Sequence, residues 1–236
     1  MPVCLGEAYR GAFGRLDTRL RGLAATDPAS LDTLVPACPG WTVHGVASHL
    51  CSIAADAVAG RISGIPDDEW TAGQVDARLG VPVEEVLDEW APHVETIAAG
   101  LDARRIPPPA AADVLVHEGD IAEALADPVP PEDGWRDAAR LLCRGKVRGI
   151  ERPGTLTVRC AGEEWTGGSG GDGPAAVVEV APWEFFRGVF SRRSADQMRA
   201  WAWEGDPEPW LEPLTVFGLR EVRSAPVRRN PPDDTD

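Results

Sequence analysis

The sequence predicts an α+β protein in which a four-helix bundle is followed by a smaller α/β domain. Three observations lead to this class. Apolar residues recur every three or four positions along four long segments before residue 150, which is the period of an amphipathic helix. After Pro153, apolar and polar residues alternate, as they do in a half-buried strand. A helical pattern then returns at Pro182.

The helices of the bundle have recognisable ends. The first is predicted over residues 5–25, and Asp27-Pro28 interrupts it because proline cannot continue a helix. The second is predicted to start after Thr42, whose hydroxyl can cap it, and to end at Gly60. Further helices are predicted over residues 71–79, 83–101, 110–126 and 132–147. Four of these segments are long, which is the number in an up-and-down bundle.

The C-terminal part is predicted to contain a hairpin, a third strand and two helices. Residues 155–160 and 163–166 alternate with period two around a short turn, which is typical of a hairpin. The glycine-rich residues 167–173 are predicted to form a flexible hairpin loop, since no Lys-Ser/Thr follows as in a phosphate-binding loop. A third strand is predicted over 175–180, and helices from Pro182 and over 194–203. We therefore divide the chain into a bundle (1–150), an α/β domain (151–225) and a flexible tail (226–236).

Composition excludes several classes of partner. The formal net charge is −15 and the pI is about 4.7, so nucleic acid and anionic membrane surfaces are not expected partners. No apolar run reaches the roughly 20 residues of a membrane span. The N-terminus lacks the basic segment followed by an apolar segment that is typical of a secretory signal. The five cysteines are scattered without a CxxC pair. Reduced thiols and a cytoplasmic location are therefore expected.

Two predicted helices carry residues that suit a metal site. His49 falls near the centre of the apolar face of the second helix. Asp113, His117 and Asp120 follow one another at helical spacing and share a face of a later helix. Two imidazoles and one carboxylate on facing helices can hold a divalent cation, zinc or another first-row metal, with coordination positions left open. The alternative is that both histidines are ordinary core residues, and the pattern alone leaves both interpretations open.

Two further carboxylates are candidates for orienting the imidazoles. Asp56 shares the His49 side of its helix, and Asp120 follows His117 by three residues. Carboxylates in such positions commonly accept the ring N–H that does not face the metal. Asp56 and Asp120 are therefore predicted to lie just outside the ligand set.

The same segments carry a family resemblance. Pro39-Gly40-Trp41-Thr42-Val43 leading into His49-Leu50 resembles the signature of the mycothiol-dependent maleylpyruvate isomerase family, within the wider DinB-like superfamily. Later segments agree in order, and the resemblance spans roughly residues 5–220. The other matching segments are 68–71 with 89–90, 113–125, and 192–197 with 201–207.

The resemblance implies a fold and a chemistry. It implies a DinB-like bundle that holds a metal through His49, Asp113 and His117, and a C-terminal domain similar to sterol-carrier folds. It also implies mycothiol as the thiol cofactor or co-substrate and a small electrophilic molecule as the substrate. A cation stabilises thiolate, which is the nucleophilic form. Addition of the thiolate to an activated double bond permits rotation about that bond, and hence cis–trans isomerisation.

This sequence also departs from the pattern of the family. Asp113 stands where glutamate is frequent, and Ser191 replaces the usual glycine before Arg192-Arg193. Arg192 or Arg193 is predicted to be catalytic by holding a substrate carboxylate, as guanidinium forks do. The alternative is an arginine pair on the surface at the start of a helix.

The predicted function is a metal-dependent, mycothiol-using enzyme of the isomerase or thiol S-transferase type. One alternative is a DinB-like metal enzyme that uses another thiol or hydrolyses its substrate. The other is a non-catalytic metal-binding or regulatory protein that retains the bundle.

Overall fold

The structure is a computed structural model that describes residues 4–62 and 68–221. It confirms the α+β class, with a helical N-terminal part and a smaller sheet-containing part after it. The predicted tail (226–236) lies outside the described residues. The helices are α1 (Leu5–Thr26), α2 (Val43–Val58), α3 (Asp68–Asp76), α4 (Val83–Asp102), α5 (Pro109–Ala124), α6 (Arg136–Arg148), α7 (Pro182–Val189), α8 (Ala195–Arg199) and α9 (Glu208–Leu214). The strands are β1 (Gly154–Cys160), β2 (Glu163–Gly170), β3 (Ala175–Glu179) and β4 (Ala202–Glu204).

Helices α1, α2, α4 and α5 pack together as the bundle. Its centre is aromatic on the side of α1 and α4. The fully buried Trp90 donates its indole N–H to the hydroxyl of Tyr9 at 3.1 Å, and Phe13 meets its ring edge-on at 4.9 Å between centroids. The hydrogen bond to Tyr9 allows the large ring of Trp90 to be buried without leaving its N–H unpaired. In another part of the bundle, α2 and α5 contact each other.

The loop before α2 is fixed at both ends. Val35 donates its backbone N–H to Trp41 at 2.9 Å, and Val43 donates to Thr33 at 2.9 Å. The hydroxyl of Thr42 accepts from the backbone N–H of Gly45 at 3.1 Å, so the predicted N-cap is confirmed. Because the cap satisfies a backbone donor of the first turn, the loop carries Trp41 directly to the start of α2.

The sheet has the order β2-β1-β3-β4, in which β1 pairs antiparallel with β2 and parallel with β3. The hairpin and the third strand are confirmed. The prediction of a loop over residues 167–173 is wrong in its first half, because β2 continues to Gly170. Gly167 lies so close to α6 that a Cβ there would meet the carbonyl oxygen of Val147 at 2.2 Å. Glycine in this strand therefore permits a close approach of two backbones.

The C-terminal helix predicted over residues 194–203 is shorter than expected. It ends at Arg199, and residues 202–204 form the edge strand β4. The indole N–H of Trp203 donates to the carbonyl of Met198 at 2.8 Å, which holds the chain as it leaves the helix. Neither β4 nor α9 was predicted, because elements of three and seven residues are too short to establish a period.

Helix α6 connects the two parts of the chain. It lies before residue 150, yet its main contacts are with β2 and α7. The division at residue 150 stays a prediction. Within the described residues, no helix is both long enough and apolar enough to span a membrane.

Ser191 has a backbone conformation that favours glycine. It follows α7, is buried, and has a φ of 59°, where a side chain crowds the backbone. Its hydroxyl accepts from the backbone N–H of Phe217 at 3.1 Å. The glycine expected here from the family pattern would adopt this φ without strain, so the serine combines a strained backbone with a compensating hydrogen bond.

We expect Ser191→Gly to be more stable than Ser191→Ala by about 1 kcal/mol, because only glycine relieves the left-handed strain. Both variants lose the hydroxyl, so their difference isolates the backbone effect. Urea unfolding of the two variants measures it. Equal stabilities would mean that the φ of residue 191 relaxes without cost.

Candidate metal centre

Helices α2 and α5 bring the three predicted ligands together. The possible ligand atoms of His49, Asp113 and His117 all lie within 4.8 Å of one another. The Asp113 carboxylate lies between the rings, with Oδ2 at 3.6 Å from Nε2 of His49 and Oδ1 at 3.5 Å from Nε2 of His117. The imidazoles meet edge to face at 5.2 Å between centroids. Both rings therefore present Nε2 to the same carboxylate.

These distances fit a cation better than they fit direct hydrogen bonds. Separations of 3.5 and 3.6 Å exceed those of ordinary hydrogen bonds. In a tetrahedral site with bonds of about 2.1 Å, neighbouring ligand atoms lie about 3.4 Å apart. The buried Oδ2 of Asp113 has no hydrogen-bond partner in the described part of the chain. The donor set and this orphaned oxygen both fit a divalent cation.

Protonation of the site also suits a cation. Burial lowers the pKa of His117 despite the opposing hydrogen bond to Asp120, so the ring is neutral at pH 7, as a metal ligand must be. Burial alone would raise the pKa of Asp113, but its interactions with His49 and His117 outweigh burial and lower it. The Asp113 side chain remains 30% exposed. The side chain is thus only partly shielded from solvent, although its Oδ2 atom is buried.

Asp120 lies beside His117, on the side of the ring away from Asp113. Its Oδ2 is 3.0 Å from Nδ1 of His117, and its side chain is fully buried. Burial would raise the pKa of this carboxyl, but the charges of Arg192 and Arg187 and the hydrogen bond from His117 hold it well below its usual range. An ionised Asp120 can only accept, so His117 carries its proton on Nδ1 and leaves Nε2 free.

Asp56 reaches His49 through a residue that the sequence did not single out. Nδ1 of His49 donates to Oε1 of Gln74 at 3.1 Å, and Nε2 of Gln74 donates to Oδ2 of Asp56 at 3.1 Å. Gln74 is buried at the end of α3. A single glutamine in a short helix without clear periodicity gave no signal that could have identified it. Its contact leaves Nε2 of His49 facing Asp113.

Trp41 and Cys38 border the centre from the loop before α2. The ring of Trp41 lies 4.9 Å from that of His49 and 6.3 Å from that of His117. The thiol of Cys38 lies 3.5 Å from Oδ2 of Asp120. Burial, with a contribution from Asp120, raises the pKa of Cys38 to about 12. Cys38 therefore stays a thiol at neutral pH.

A second group of possible ligands shares His117 with the first. The ligand atoms of Cys38, His117 and Asp120 also lie within 4.8 Å of one another. Here the carboxylate is already neutralised by Arg187 and Arg192, and the thiol is protonated. The first group, with its unpartnered oxygen, is the better cation site.

Arg192 and Arg193 are both buried, so their interpretation as a surface pair is wrong. Arg192 donates to Asp120 at 3.0 Å. Arg193 donates to Glu184 at 2.7 Å and to Glu123 at 3.0 Å. Their predicted contact with a substrate carboxylate stays a prediction. In this structure both guanidinium groups make ion pairs within the protein, and Arg192 makes its ion pair to the carboxylate that contacts His117.

The fold and the site define a helical-bundle protein with a candidate His-Asp-His metal centre, joined to a small α/β part. Residues 13–136, just over half of the chain, match the family model described as the mycothiol maleylpyruvate isomerase N-terminal domain. The chain belongs to this family, and the predicted family is confirmed. Membership places the chain among enzymes, as predicted, and in a family whose members depend on mycothiol.

The comparison with solved structures gives two similar chains. One is the mycothiol-dependent maleylpyruvate isomerase, at 15% identity over 80% of this chain and 90% of that chain, with a TM-score of 0.47. The other is a histidine-to-alanine mutant of that enzyme, at 16% identity over 82% and 91%, with a TM-score of 0.48. No curated protein matches the chain.

Proposed function

We propose that this chain is a metal-dependent, mycothiol-using enzyme of the maleylpyruvate isomerase or thiol S-transferase type. Its cation, zinc in this proposal, is held by His49, Asp113 and His117. Its partners are mycothiol and a small electrophilic molecule. The proposed location is the cytoplasm, which is consistent with five cysteines that form no disulfide.

One observation carries the proposal. The carboxylate of Asp113 lies between two imidazoles, with Oδ2 at 3.6 Å from Nε2 of His49 and Oδ1 at 3.5 Å from Nε2 of His117, spacings suited to ligands of one cation. Its buried Oδ2 has no hydrogen-bond partner among the residues that the structure describes. Leaving a buried charge unpaired is costly, and a divalent cation removes that cost. Two imidazoles and one carboxylate are a common set for catalytic zinc, with a fourth position open to a further ligand. Other first-row metals accept the same donors.

Neighbouring residues orient the ligands around that open coordination position and cover the imidazole rings on one side. When bound, the cation would lower the pKa of a coordinated thiol, so that the thiol reacts as the thiolate. Asp120 and Gln74 hold the Nδ1 protons of the two imidazoles, which keeps both Nε2 atoms directed at the site. Trp41 covers the rings on one side. Cys38 stays protonated, so it does not compete with an external thiolate as a nucleophile.

The proposal is tested by metal content and by turnover. We expect the wild-type protein to carry about one metal ion per chain and to convert maleylpyruvate, or to conjugate an electrophile, only when mycothiol is present. His49→Ala should lose both the metal and the activity. His93→Ala is a matched control, because this half-buried histidine lies on α4, outside the ligand group.

The outcomes separate the alternatives. Metal binding with turnover that requires a different thiol, or with hydrolysis and no thiol, favours another metal-dependent enzyme. Metal binding with no turnover of any electrophile tested favours a non-catalytic protein. A wild-type protein without metal that also cannot be loaded with Zn²⁺ contradicts the metal centre itself.

A further inference from the structure

Arg187 is a fully buried arginine of α7 that reaches across to α5. Its Nη2 donates to Oδ1 of Asp120 at 2.6 Å and to Oε2 of Glu123 at 2.7 Å. Its Nη1 donates to the backbone carbonyl of Val116 at 2.8 Å, and its Nε donates to Oε1 of Glu123 at 3.2 Å. The guanidinium group therefore contacts α5 at three residues that surround His117.

The room for this guanidinium comes from a missing side chain. A Cβ at Gly119 would lie 2.9 Å from Nη1 of Arg187 and 2.9 Å from the ring of Trp183. Glycine within a helix lowers stability by about 1 kcal/mol relative to alanine. Here it allows a charged side chain of the C-terminal part to lie against α5, in contact with Val116, Asp120 and Glu123. A feature that weakens the helix therefore serves this contact.

The two oxygens of Asp120 have different partners. Oδ1 accepts from Nη2 of Arg187 at 2.6 Å, whereas Oδ2 faces Nδ1 of His117 at 3.0 Å. Arg192 donates to both oxygens, at 3.0 to 3.3 Å. The shortest contact therefore sits on the oxygen that does not face the imidazole. Because a carboxylate is planar, fixing Oδ1 also fixes the direction of Oδ2.

We propose that Arg187 is a positioning residue for the metal centre. It orients Asp120 so that Oδ2 accepts the Nδ1 proton of His117, which keeps the lone pair of Nε2 directed at the cation. The effect on metal affinity rests on the proposed function; the effect on the His117 tautomer does not. Arg187 acts only through Asp120 and needs no contact with the substrate. In this way a residue of the C-terminal part completes a site whose ligands all come from the bundle.

The test compares two conservative variants of the same network. In Arg187→Lys the charge remains but the fork that reaches Asp120, Glu123 and Val116 is lost. Arg193→Lys is the matched control, because Arg193 is also buried and contacts Glu123, but it makes no contact with Asp120. Two quantities are measured: the tautomer of His117 in the metal-free protein, by ¹⁵N NMR, and the dissociation constant for Zn²⁺ alone.

We expect the metal-free wild type to hold the His117 proton on Nδ1, and Arg187→Lys to populate both tautomers. The Zn²⁺ dissociation constant should rise about 10- to 100-fold, the usual effect of losing a partner just outside the ligands. Arg193→Lys should change neither quantity, even if it unfolds more easily. The wild-type tautomer together with the wild-type dissociation constant in folded Arg187→Lys would overturn the proposal.

A second variant decides the matter if Arg187→Lys does not fold. Gly119→Ala keeps every charge and favours the helix, but its methyl group would lie 2.9 Å from both Nη1 of Arg187 and the ring of Trp183, so we expect the packing of Arg187 against α5 to change. A shift of the His117 tautomer in this variant supports the proposal, and the wild-type tautomer overturns it. If the wild type binds no Zn²⁺, the proposed function fails, and the tautomer measurements alone decide the role of Arg187.

Discussion

Replacing Asp113 with asparagine is expected to remove most of the stabilisation that Zn²⁺ gives and to leave the metal-free protein nearly unchanged. The variant keeps the size of the side chain but loses the anionic ligand. In the metal-free protein, the cost of burying this charge and its favourable interactions with His49 and His117 oppose each other, and the side chain is 30% exposed, so the net contribution of the charge to the fold is small. The free energy of unfolding in chelator should therefore stay within about 1 kcal/mol of wild type.

The expected stabilisation by Zn²⁺ follows from the coupling of metal binding to folding. At a free Zn²⁺ concentration about 1,000 times the dissociation constant, binding stabilises the folded state by about 4 kcal/mol. Losing a direct ligand should weaken binding by more than the roughly 100-fold that outer partners can contribute. The stabilisation at the same Zn²⁺ concentration then falls to about 1.4 kcal/mol or less.

Thermal unfolding with Zn²⁺ and with chelator measures both states of Asp113→Asn. Asp137→Asn is the matched control, because Asp137 is exposed on α6 and lies outside the ligand group. The control should keep the full difference between Zn²⁺ and chelator. If Asp113→Asn keeps it too, the carboxylate is not a ligand.

Asp120→Ala is expected to destabilise the folded protein by about 3–5 kcal/mol, the usual cost of removing one partner of a buried ion pair. Asp120 is fully buried and neutralises Arg187 and Arg192, which are themselves buried. Its removal leaves positive charge without sufficient compensation in the interior. It also removes the acceptor of the His117 Nδ1 proton. Urea unfolding in the presence of chelator measures the stability term without any contribution from a metal.

Asp127→Ala gives the comparison for an exposed ion pair. Asp127 follows α5 and pairs with Arg19 at 2.7 Å, where both side chains are substantially exposed. Exposed pairs contribute about 0–1 kcal/mol, so this variant should remain close to wild type. A similar small loss in both variants would mean that the buried network around Asp120 relaxes or admits water when the carboxylate is removed.

Much of the helical part could be predicted because its apolar residues repeat over many turns. The limits of α1, α2, α4 and α5 follow the predicted segments closely. Asp113, His117 and Asp120 share a face of α5 for the same reason, since spacings of three and four residues determine which side chains are neighbours on a helix. That His49 would face them required two helices to pack correctly, and the family resemblance supplied that information.

The parts that could not be predicted depend on contacts between distant segments. Gln74 is 25 residues from His49 in the chain, and no local pattern indicates their hydrogen bond. Arg187 lies within an apolar helical pattern, and its pairing with Asp120 across 67 residues arises only when α7 packs on α5. Likewise, Gly119 has no evident purpose in the sequence, because the close approach that it permits belongs to the tertiary structure.

The contact of Arg187 with α5 has an evolutionary consequence. If a bundle of this kind recombined with a foreign C-terminal domain, its buried Asp120 and partly buried Glu123 would lack their arginine partner. The hybrid would be less stable, and selection would act against it whatever its catalytic activity. Gly119, Asp120, Glu123 and Arg187 are therefore expected to be inherited as one set. Chimeras made from relatives offer a direct measure, because hybrids that keep the four residues together should resist urea unfolding better than hybrids that separate them.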